Sequence, residues 1–247
     1  MRDKHHYDKK AAAFRKGLKD GVPICLGYLS VAFAFGMMAT QGGMPAWAAL
    51  VISMSNLTSA GQVAGTNLIL SGGLYLELAV TTFVINIRYM LMSLSLSQKV
   101  DESMTTLQRW VLSFGVTDEI FAVAMQQEGA VTAEYFSGLV LTPYLGWSLG
   151  TLLGATATNL LPAGVRTALG IAIYGMFLAI IIPPARKAAP VAKVVLFAAL
   201  LSCLFRWVPG LNRISGGWVI ILCAVAASAY GALRYPIQET EGAANEC

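Results

Sequence analysis

The stretch Phe83-Val84-Ile85-Asn86-Ile87-Arg88-Tyr89-Met90-Leu91-Met92-Ser93 places a guanidinium group inside an otherwise apolar run. Residues 74–97 are long enough to cross a bilayer as one helix, in which Asn86 and Arg88 would lie close to the middle. An arginine at that depth costs about 2.5–3.5 kcal/mol on insertion scales, so it should face protein or a water-filled cavity. A partner for Arg88 should therefore lie elsewhere in the chain.

The composition is that of a membrane protein with several spans. Of 247 residues, 56% are hydrophobic and 12% are charged, and the mean hydropathy is +0.64. A soluble domain carries about 25% charged residues. The charges crowd into the chain ends, and uncharged runs long enough to span a bilayer recur between them. The sequence predicts a basic cytoplasmic tail at 1–17, a single transmembrane domain at 18–234 and a polar tail at 235–247.

The transmembrane domain is predicted to be an all-α bundle of about eight helices, with seven as the alternative. The apolar segments are 18–40, 46–70, 74–97, 109–127, 133–158, 163–182, 189–207 and 215–233. A faint internal repeat, in which Gly115-Val116-Thr117 matches Gly21-Val22-Pro23, favours two inverted units of three helices with broken members, plus two extra C-terminal helices. Glycines spaced by four in the fifth segment predict a close helix contact.

Lysine and arginine set the predicted orientation, because cytoplasmic loops are enriched in both. With both termini in the cytoplasm, the basic tail and the loop at 186–193 lie inside. The opposite side then carries Lys99, Arg109, Arg166, Arg206 and Arg213. This is the distribution expected for a multi-pass protein of the cytoplasmic (inner) membrane.

The second segment is polar in its middle, where lipid tolerates polar groups least. Two interpretations remain open: small polar residues that hydrogen-bond between helices, or an unwound helix that lines a substrate site at mid-membrane. The candidate binding residues of this segment are Ser55, Asn56, Ser59, Gly61 and Gln62.

The fourth segment offers partners for Arg88, since Thr117-Asp118-Glu119 lies near its middle. Adjacent helical residues point about 100° apart, so one acid can pair with Arg88 while the other faces a cavity. The pair is either purely structural or handles substrate or protons. Asn86 and Thr117 join Arg88 as candidate binding residues, and Glu77, nearer a helix end, is a secondary candidate.

Neither a metal site nor a cofactor site nor a catalytic centre is predicted. The two histidines, His5 and His6, lie in the N-terminal tail, and no P-loop motif occurs. The cysteines, Cys25, Cys203, Cys223 and Cys247, show no CxxC spacing and predict neither a disulfide nor a metal centre. The tryptophans mostly fall near segment ends, as interfacial residues do.

Three of these places together resemble the AzlC-type branched-chain amino acid permease family. The resemblance rests on Asn86-Ile87-Arg88 with Ser93–Leu96, on Thr117-Asp118-Glu119, and on the polar patch Ser59-Ala60-Gly61-Gln62. Tyr89 stands where the family usually has histidine, and Gln62 differs in its spacing. The resemblance implies export of branched-chain amino acids together with a small membrane subunit of the AzlD type.

The expected function is therefore secondary transport, not enzymatic catalysis. The expected substrate is a branched-chain amino acid or methionine, moved outward with coupling to an ion or proton. Arg88, or a helix N-terminus of a broken segment, would hold the substrate carboxylate, and Asp118 or Glu119 would bind the ammonium group or a proton. The rival interpretation is a channel or a membrane scaffold that transports nothing.

Overall fold

A computed structural model describes residues 2–157 and 181–236, together with the single residues 162, 164 and 178. The helices are α1 (Arg2–Gln41), α2 (Ala46–Ser55), α3 (Ser59–Leu70), α4 (Tyr75–Ser97), α5 (Thr106–Ser113), α6 (Asp118–Gln126), α7 (Ala133–Ala157), α8 (Ala189–Trp207) and α9 (Gly216–Arg234). Residues 181–187 are also helical. The prediction of an all-α membrane bundle is confirmed, and α1, α4, α7, α8 and α9 are long and apolar enough to span a bilayer.

Helices α1 and α7 run parallel and pack backbone to backbone. A methyl group placed on Gly17 would lie 2.0 Å from the carbonyl oxygen of Tyr135, and one on Gly154 would lie 2.0 Å from that of Phe33. Residues near the start of α1 thus meet the start of α7, and later residues meet later ones. The close helix contact predicted for the fifth segment exists, and α1 is its partner.

Helix α1 is continuous and begins close to the N-terminus. Pro23 does not break the helix, which continues unbroken from Arg2 to Gln41. Proline is tolerated inside membrane helices where neighbouring groups satisfy the freed carbonyl. Residues 2–17 of the predicted basic tail form the first turns of α1. A salt bridge of 3.0 Å joins Lys10 to Glu134 at the start of α7.

Helices α2 and α3 form a hairpin that enters the bundle and turns back, which we call hairpin 1. Helix α2 follows the end of α1 and descends beside α7, where Tyr144 donates to the carbonyl of Met54 over 3.1 Å. Helix α3 then returns, because the side chain of Leu70 lies against Gly42 just after α1. Helices of 10 and 12 residues each reach about half of a 30 Å hydrocarbon core.

Helices α5 and α6 form a second hairpin, hairpin 2, from the other side. The chain leaves α4 near the start of α7, where the N–H of Asp101 bonds the carbonyl of Val131 over 3.0 Å. Phe114 at the tip reaches Tyr144, with ring centroids 6.1 Å apart. Helix α6 then returns, and Lys99 donates to the carbonyl of Met125 over 2.6 Å.

The two hairpins change the predicted topology. The segments 46–70 and 109–127 do not cross the bundle, so the prediction of one helix for each is wrong. The repeated unit is one crossing helix followed by one hairpin: α1 with hairpin 1, then α4 with hairpin 2. Because α1 and α4 run in opposite directions, the units are inverted, but each consists of one crossing helix and two short helices rather than three crossing helices. The predicted match of Thr66–Leu68 with residues 158–160 falls partly outside the described residues.

Helices α8 and α9 form an antiparallel pair beside α4. Phe197 stacks on Tyr230 at 4.7 Å between ring centroids. The side chain of Glu77, near the start of α4, is buried and accepts hydrogen bonds from the hydroxyl of Ser215 and from the N–H of Gly217 over 2.9 Å. Glu77, the secondary candidate of the sequence analysis, therefore holds α9 against α4. The sixth segment, Arg166 and the tail from 237 lie largely or wholly outside the described residues.

One face of the molecule, which we call the N-terminal face, carries the start of α1, the root of hairpin 2 and the end of α9. Lys16 donates to Gln127 there over 2.7 Å. The prediction that Lys99 and Arg109 lie opposite the N-terminus is wrong, because hairpin 2 brings the chain back to the N-terminal face. Of the basic residues assigned to the opposite face, Arg206 and Arg213 do lie there, between α8 and α9.

Candidate functional site

The tips of the two hairpins meet at mid-depth in the bundle. The backbone of hairpin 1 is in an extended conformation at Asn56 and Thr58, with φ of −142° and −148°. Hairpin 2 is extended at Thr117, with φ of −124°, and the Thr117 hydroxyl caps α6 by accepting from the N–H of Ile120. In both hairpins the second helix begins immediately after a threonine. The N-terminal ends of α3 and α6, which carry partial positive charge, therefore both lie at mid-membrane.

A cavity of about 890 Å³ lies between these tips, α1 and α4. Its polar wall consists of Tyr28, Thr58, Ser59, Arg88, Tyr89, Thr117, Asp118 and Glu119. Its apolar wall includes Pro23, Ile24, Val31, Leu57, Ile85, Trp147 and Ile181. A volume in this range is typical of sites for small molecules.

Arg88 pairs with Asp118 across the cavity. The Arg88 Nη2 to Asp118 Oδ2 distance is 2.8 Å, and the side chains are 44% and 37% exposed. Nη2 also lies 3.2 Å from the hydroxyl of Tyr89. The partner that the sequence requires for Arg88 is thus Asp118 rather than Glu119. Both of these contacts use Nη2, and the Arg88 side chain is 44% exposed, so its other donors can meet a ligand.

Glu119 points along a different direction and interacts with Tyr28 of α1. The Tyr28 hydroxyl donates to Glu119 Oε2 over 2.6 Å and lies equally close to the Thr117 hydroxyl. Among the described residues, no lysine or arginine forms a salt bridge with Glu119. The divergence of two adjacent acids that helical geometry predicts is therefore present, and Glu119 is the acid without a cation in the described part of the chain.

Tyr89 and Asn86 hold the tip of hairpin 1. The Tyr89 hydroxyl donates to the Thr58 hydroxyl over 3.1 Å, and Thr58 donates in turn to Asn86 Oδ1 over 3.0 Å. Asn86 also lies against Gly61, where an added methyl group would be 2.9 Å from its amide nitrogen. Asn86 thus supports the cavity wall from behind and does not line it.

A buried polar network stands behind hairpin 1. Gln62 donates to Ser53 over 2.8 Å and accepts from the indole N–H of Trp147 over 3.2 Å. Ser53 and Thr151 share a hydrogen bond of 2.6 Å. Trp147 is 2% exposed and in the interior of α7, so it is an exception to the interfacial positions expected for most of the tryptophans. The physical reason is that its N–H has a buried partner in Gln62.

The structure brings together only part of the predicted site. Arg88, Ser59, Thr117, Asp118 and Glu119 line the cavity. Five other predicted binding residues do not: Ser55, Asn56, Gly61, Gln62 and Asn86. The Ser55 hydroxyl donates to the carbonyl of Val51 within its own helix, and the Gln62 side chain is hydrogen-bonded in the buried network.

Tyr28, Tyr89 and Thr58 are the functional candidates that the sequence did not reveal. Tyr28 stands alone in an apolar run, where no neighbouring polar residue marks it. Tyr89 and Thr58 each sit beside a predicted residue, Arg88 and Ser59, but only the folded structure joins them. In the part of the chain that is described, no cluster of three potential metal-binding side chains occurs, and Cys25, Cys203 and Cys223 are free thiols.

Comparison with known proteins places the chain in a family. Residues 23–161 match the model of the family described as "AzlC protein". An "Uncharacterized membrane protein" of Archaeoglobus fulgidus is 33% identical over 180 residues, which cover 72% of this chain and 78% of that protein. "Inner membrane protein YgaZ" of Escherichia coli (strain K12) is 27% identical over 179 residues, covering 70% and 73% respectively. No solved structure matches the chain. The extent of the family match and the identity to the archaeal protein show that the chain belongs to the AzlC family of membrane proteins.

Proposed function

We propose that this protein is a secondary transporter that exports branched-chain amino acids, with methionine as a further substrate. The observation that carries the proposal is the cavity between the two hairpin tips, which holds Arg88 and Glu119 in a largely apolar wall. Ionisable groups at mid-membrane serve function by default. Broken helices that meet at mid-membrane in inverted units are the usual architecture of transporter sites. Membership of the AzlC family is consistent with transport.

The polar groups suit both ends of a zwitterion. The substrate carboxylate would meet Arg88, whose planar fork binds carboxylates in a bidentate manner. The ammonium group would meet Glu119, which already accepts from a hydroxyl and has oxygen lone pairs to spare. The N-terminal end of α3, beginning at Ser59, adds partial positive charge for the carboxylate.

The apolar wall suits a branched aliphatic side chain. Ile24, Val31, Leu57 and Ile85 line the cavity with aliphatic groups. Burying such a side chain contributes about 1.5–3 kcal/mol. Phe83, on the same helix as Ile85, is 62% exposed and does not line the cavity. The aliphatic wall favours leucine, isoleucine, valine and methionine over polar amino acids.

The charge balance of the cavity supports coupling to a proton or cation. Arg88 and Asp118 neutralise each other, so Glu119 leaves the described lining with one net negative charge. A bound zwitterion brings no net charge, whereas one proton or monovalent cation at Glu119 would neutralise the site. We therefore propose Glu119, and not Asp118, as the coupling residue. A scaffold that transports nothing would have no need of an acid without a cation at this depth.

The orientation and the partner belong to the same proposal. The N-terminal face carries most of the described lysines and arginines and is proposed to face the cytoplasm. Both termini would then lie on the cytoplasmic side of the inner membrane. Export would then run from this face to the opposite one. A small membrane subunit of the AzlD type is proposed to act with the chain. We also propose that the chain is not an enzyme, since its two histidines, His5 and His6, lie far in sequence from the cavity lining.

Efflux from preloaded cells tests the proposal. Labelled leucine and methionine would be followed in cells that express the chain with and without a candidate small subunit. We expect efflux that depends on the chain and is lost in Arg88→Ala, with Arg109→Ala as the control because Arg109 lies at the root of hairpin 2. Each variant would be checked for insertion. Absence of efflux, with chain and subunit both in the membrane, would contradict transport of these amino acids and favour a channel or scaffold.

A further inference from the structure

The two inverted units exchange matching hydrogen bonds at their centre. Tyr28 of α1 bonds Thr117 at the tip of hairpin 2, and Tyr89 of α4 bonds Thr58 at the tip of hairpin 1. In each case the tyrosine belongs to the crossing helix of one unit and the threonine to the hairpin of the other. Each threonine directly precedes the second helix of its hairpin. The two Tyr–Thr pairs are therefore related by the same inversion as the units.

Each pair joins a crossing helix to a different hairpin. Hairpin 2 fills the half of the bundle next to the N-terminal face, so the Tyr28–Thr117 pair joins α1 to the hairpin of that half. Hairpin 1 fills the other half, and the Tyr89–Thr58 pair joins α4 to it. All four side chains line the cavity.

The packing divides the molecule into a tight scaffold and looser hairpins. Gly17, Gly36 and Gly154 bring α1 and α7 so close that an added methyl group would overlap backbone atoms at 2.0–2.2 Å. By contrast, α5 contains no buried residue, and α2 buries only Ala49 and Ser53. The short helices α2 and α5 can therefore shift more easily than α1 can separate from α7, although the tips themselves are buried at Leu57, Thr58, Val116 and Thr117.

We infer that Tyr28 and Tyr89 are gate residues: the Tyr28–Thr117 pair closes the cavity toward the N-terminal face, and the Tyr89–Thr58 pair closes it toward the opposite face. Alternating release of the two pairs exposes the cavity to one side at a time. The second bond of each tyrosine links its pair to the charged groups of the site, Tyr28 to Glu119 and Tyr89 to Arg88. Binding of a ligand or proton at Glu119 or Arg88 therefore changes the hydrogen bonding of the tyrosine in one gate.

The inference builds on the proposed transport function but is tested without any substrate. In a background with the four cysteines replaced by alanine, Ala60→Cys would place one thiol in the cavity wall. Vesicles of defined orientation would be treated from one face at a time with a thiol reagent that does not cross the membrane. Total reactive thiol after denaturation would normalise each rate and report variants that fail to fold.

Removing one hydroxyl should loosen one gate only. We expect Tyr28→Phe to raise the labelling rate from the N-terminal face roughly three- to tenfold, the effect of one lost hydrogen bond, and Tyr89→Phe to raise it from the opposite face. Thr117→Val and Thr58→Val should reproduce these effects in the same order, because they remove the other member of each pair. Tyr75→Phe is the control, since Tyr75 is 91% exposed at the start of α4.

The outcome separates gating from transport. Opposite sidedness of the two tyrosine variants, repeated by the two threonine variants, would support the gates even if leucine and methionine proved not to be substrates. Equal labelling in all variants, or increases from the same face in both, would overturn the inference. Leucine efflux could persist in that case, and the proposed function would then stand without it.

Discussion

The two hairpins have the same geometry and different chemistry. Each enters from its own face, turns at mid-depth beside a threonine, and starts its second helix there. The tip of hairpin 1, Leu57-Thr58-Ser59, has no charge and rests on the buried network of Gln62. The tip of hairpin 2, Val116-Thr117-Asp118, is followed by Glu119 and carries both acids of the cavity.

Because of this difference, we expect hairpin 1 to contribute mainly to stability and hairpin 2 mainly to transport. Hairpin 1 is braced by neutral hydrogen bonds to α7, which cost little to keep buried once every group has a partner. Hairpin 2 is attached at its tip through Arg88 and Tyr28, groups that also face the ligand cavity. Substitutions in hairpin 1 should therefore affect stability more than transport, and substitutions in hairpin 2 should affect transport more than stability.

The largest expected effect comes from the charged pair at hairpin 2. Arg88→Ala leaves Asp118 and Glu119 without a cation among the described residues, and we expect leucine efflux to fall at least tenfold, roughly the effect of losing a charge-assisted hydrogen bond. Since the pair is partly exposed, at 44% and 37%, the loss of stability should be only about 1–2 kcal/mol. Efflux and thermal stability of the purified protein measure the two effects.

The double variant sharpens this prediction. Arg88→Ala combined with Asp118→Ala removes the uncompensated charge, so stability should recover toward the wild-type value while efflux stays lost. Recovery of efflux in the double variant would reduce Arg88 to a structural clamp and contradict its proposed contact with substrate.

A substitution in hairpin 1 should lower stability strongly and transport only weakly. Gln62→Leu removes the partner of the buried Trp147 N–H and leaves Ser53 with Thr151 as its printed partner, and a buried donor left unpaired costs about 1–3 kcal/mol. We expect a clear drop in melting temperature and, in molecules that remain folded, residual efflux. Ser55→Ala is the matched control, because Ser55 bonds only its own helix and should leave both properties unchanged. A fully stable Gln62→Leu protein would contradict the bracing role.

Glycines at the two tips provide a matched pair of smaller effects. A methyl group on Gly115 would lie 2.3 Å from Val140 Cγ1, whereas one on Gly61 would lie 2.9 Å from the movable amide of Asn86. Gly115→Ala should thus cost about 1–3 kcal/mol by overpacking, and Gly61→Ala less. Val140→Ala should restore part of the loss in Gly115→Ala and none in Gly61→Ala. Thermal unfolding of the four variants checks the order.

The smallest effect is expected at the hairpin roots. At the root of hairpin 2, the Ser103 hydroxyl and backbone N–H hold the pKa of Asp101 below its usual value of 3.8. A depressed pKa contributes stability above pH 3.8 that is lost as the pH falls through the folded value. Ser103→Ala should slightly lower stability at neutral pH, and the difference from wild type should shrink in acid. The root of hairpin 1, residues 41–45 and 71–74, has no titratable side chain and should show no such dependence.

Part of this architecture follows from local sequence. The polar middle of 46–70 left two interpretations open, and the unwound helix is the one that agrees with the separation of α2 and α3 at residues 56–58. Arg88 at mid-membrane requires a partner by the same reasoning, and adjacent acids on a helix must diverge. These predictions depend only on chemistry within one segment.

The hairpins themselves could not be predicted in this way. A segment with a polar centre has the same composition whether it crosses the bilayer or turns back, and the contact of Leu70 with Gly42 that decides the matter is tertiary. For hairpin 2, a local signal existed: Thr105 and Gln108 form a capping box that starts α5 before the predicted segment. Tyr28 illustrates the limit, since nothing near it in sequence indicates Thr117 or Glu119.

Direct binding of labelled leucine to the purified protein, with its small subunit where the two copurify, tests the central claim that Arg88 and Glu119 hold a zwitterion between the hairpin tips. We predict saturable binding that methionine displaces, while leucinamide, without a carboxylate, and 4-methylpentanoate, without an ammonium group, do not. Binding should be lost in Arg88→Ala and retained in Arg109→Ala. Leucine binding that is equally strong in Arg88→Ala, or that leucinamide displaces as well as methionine does, would contradict the account.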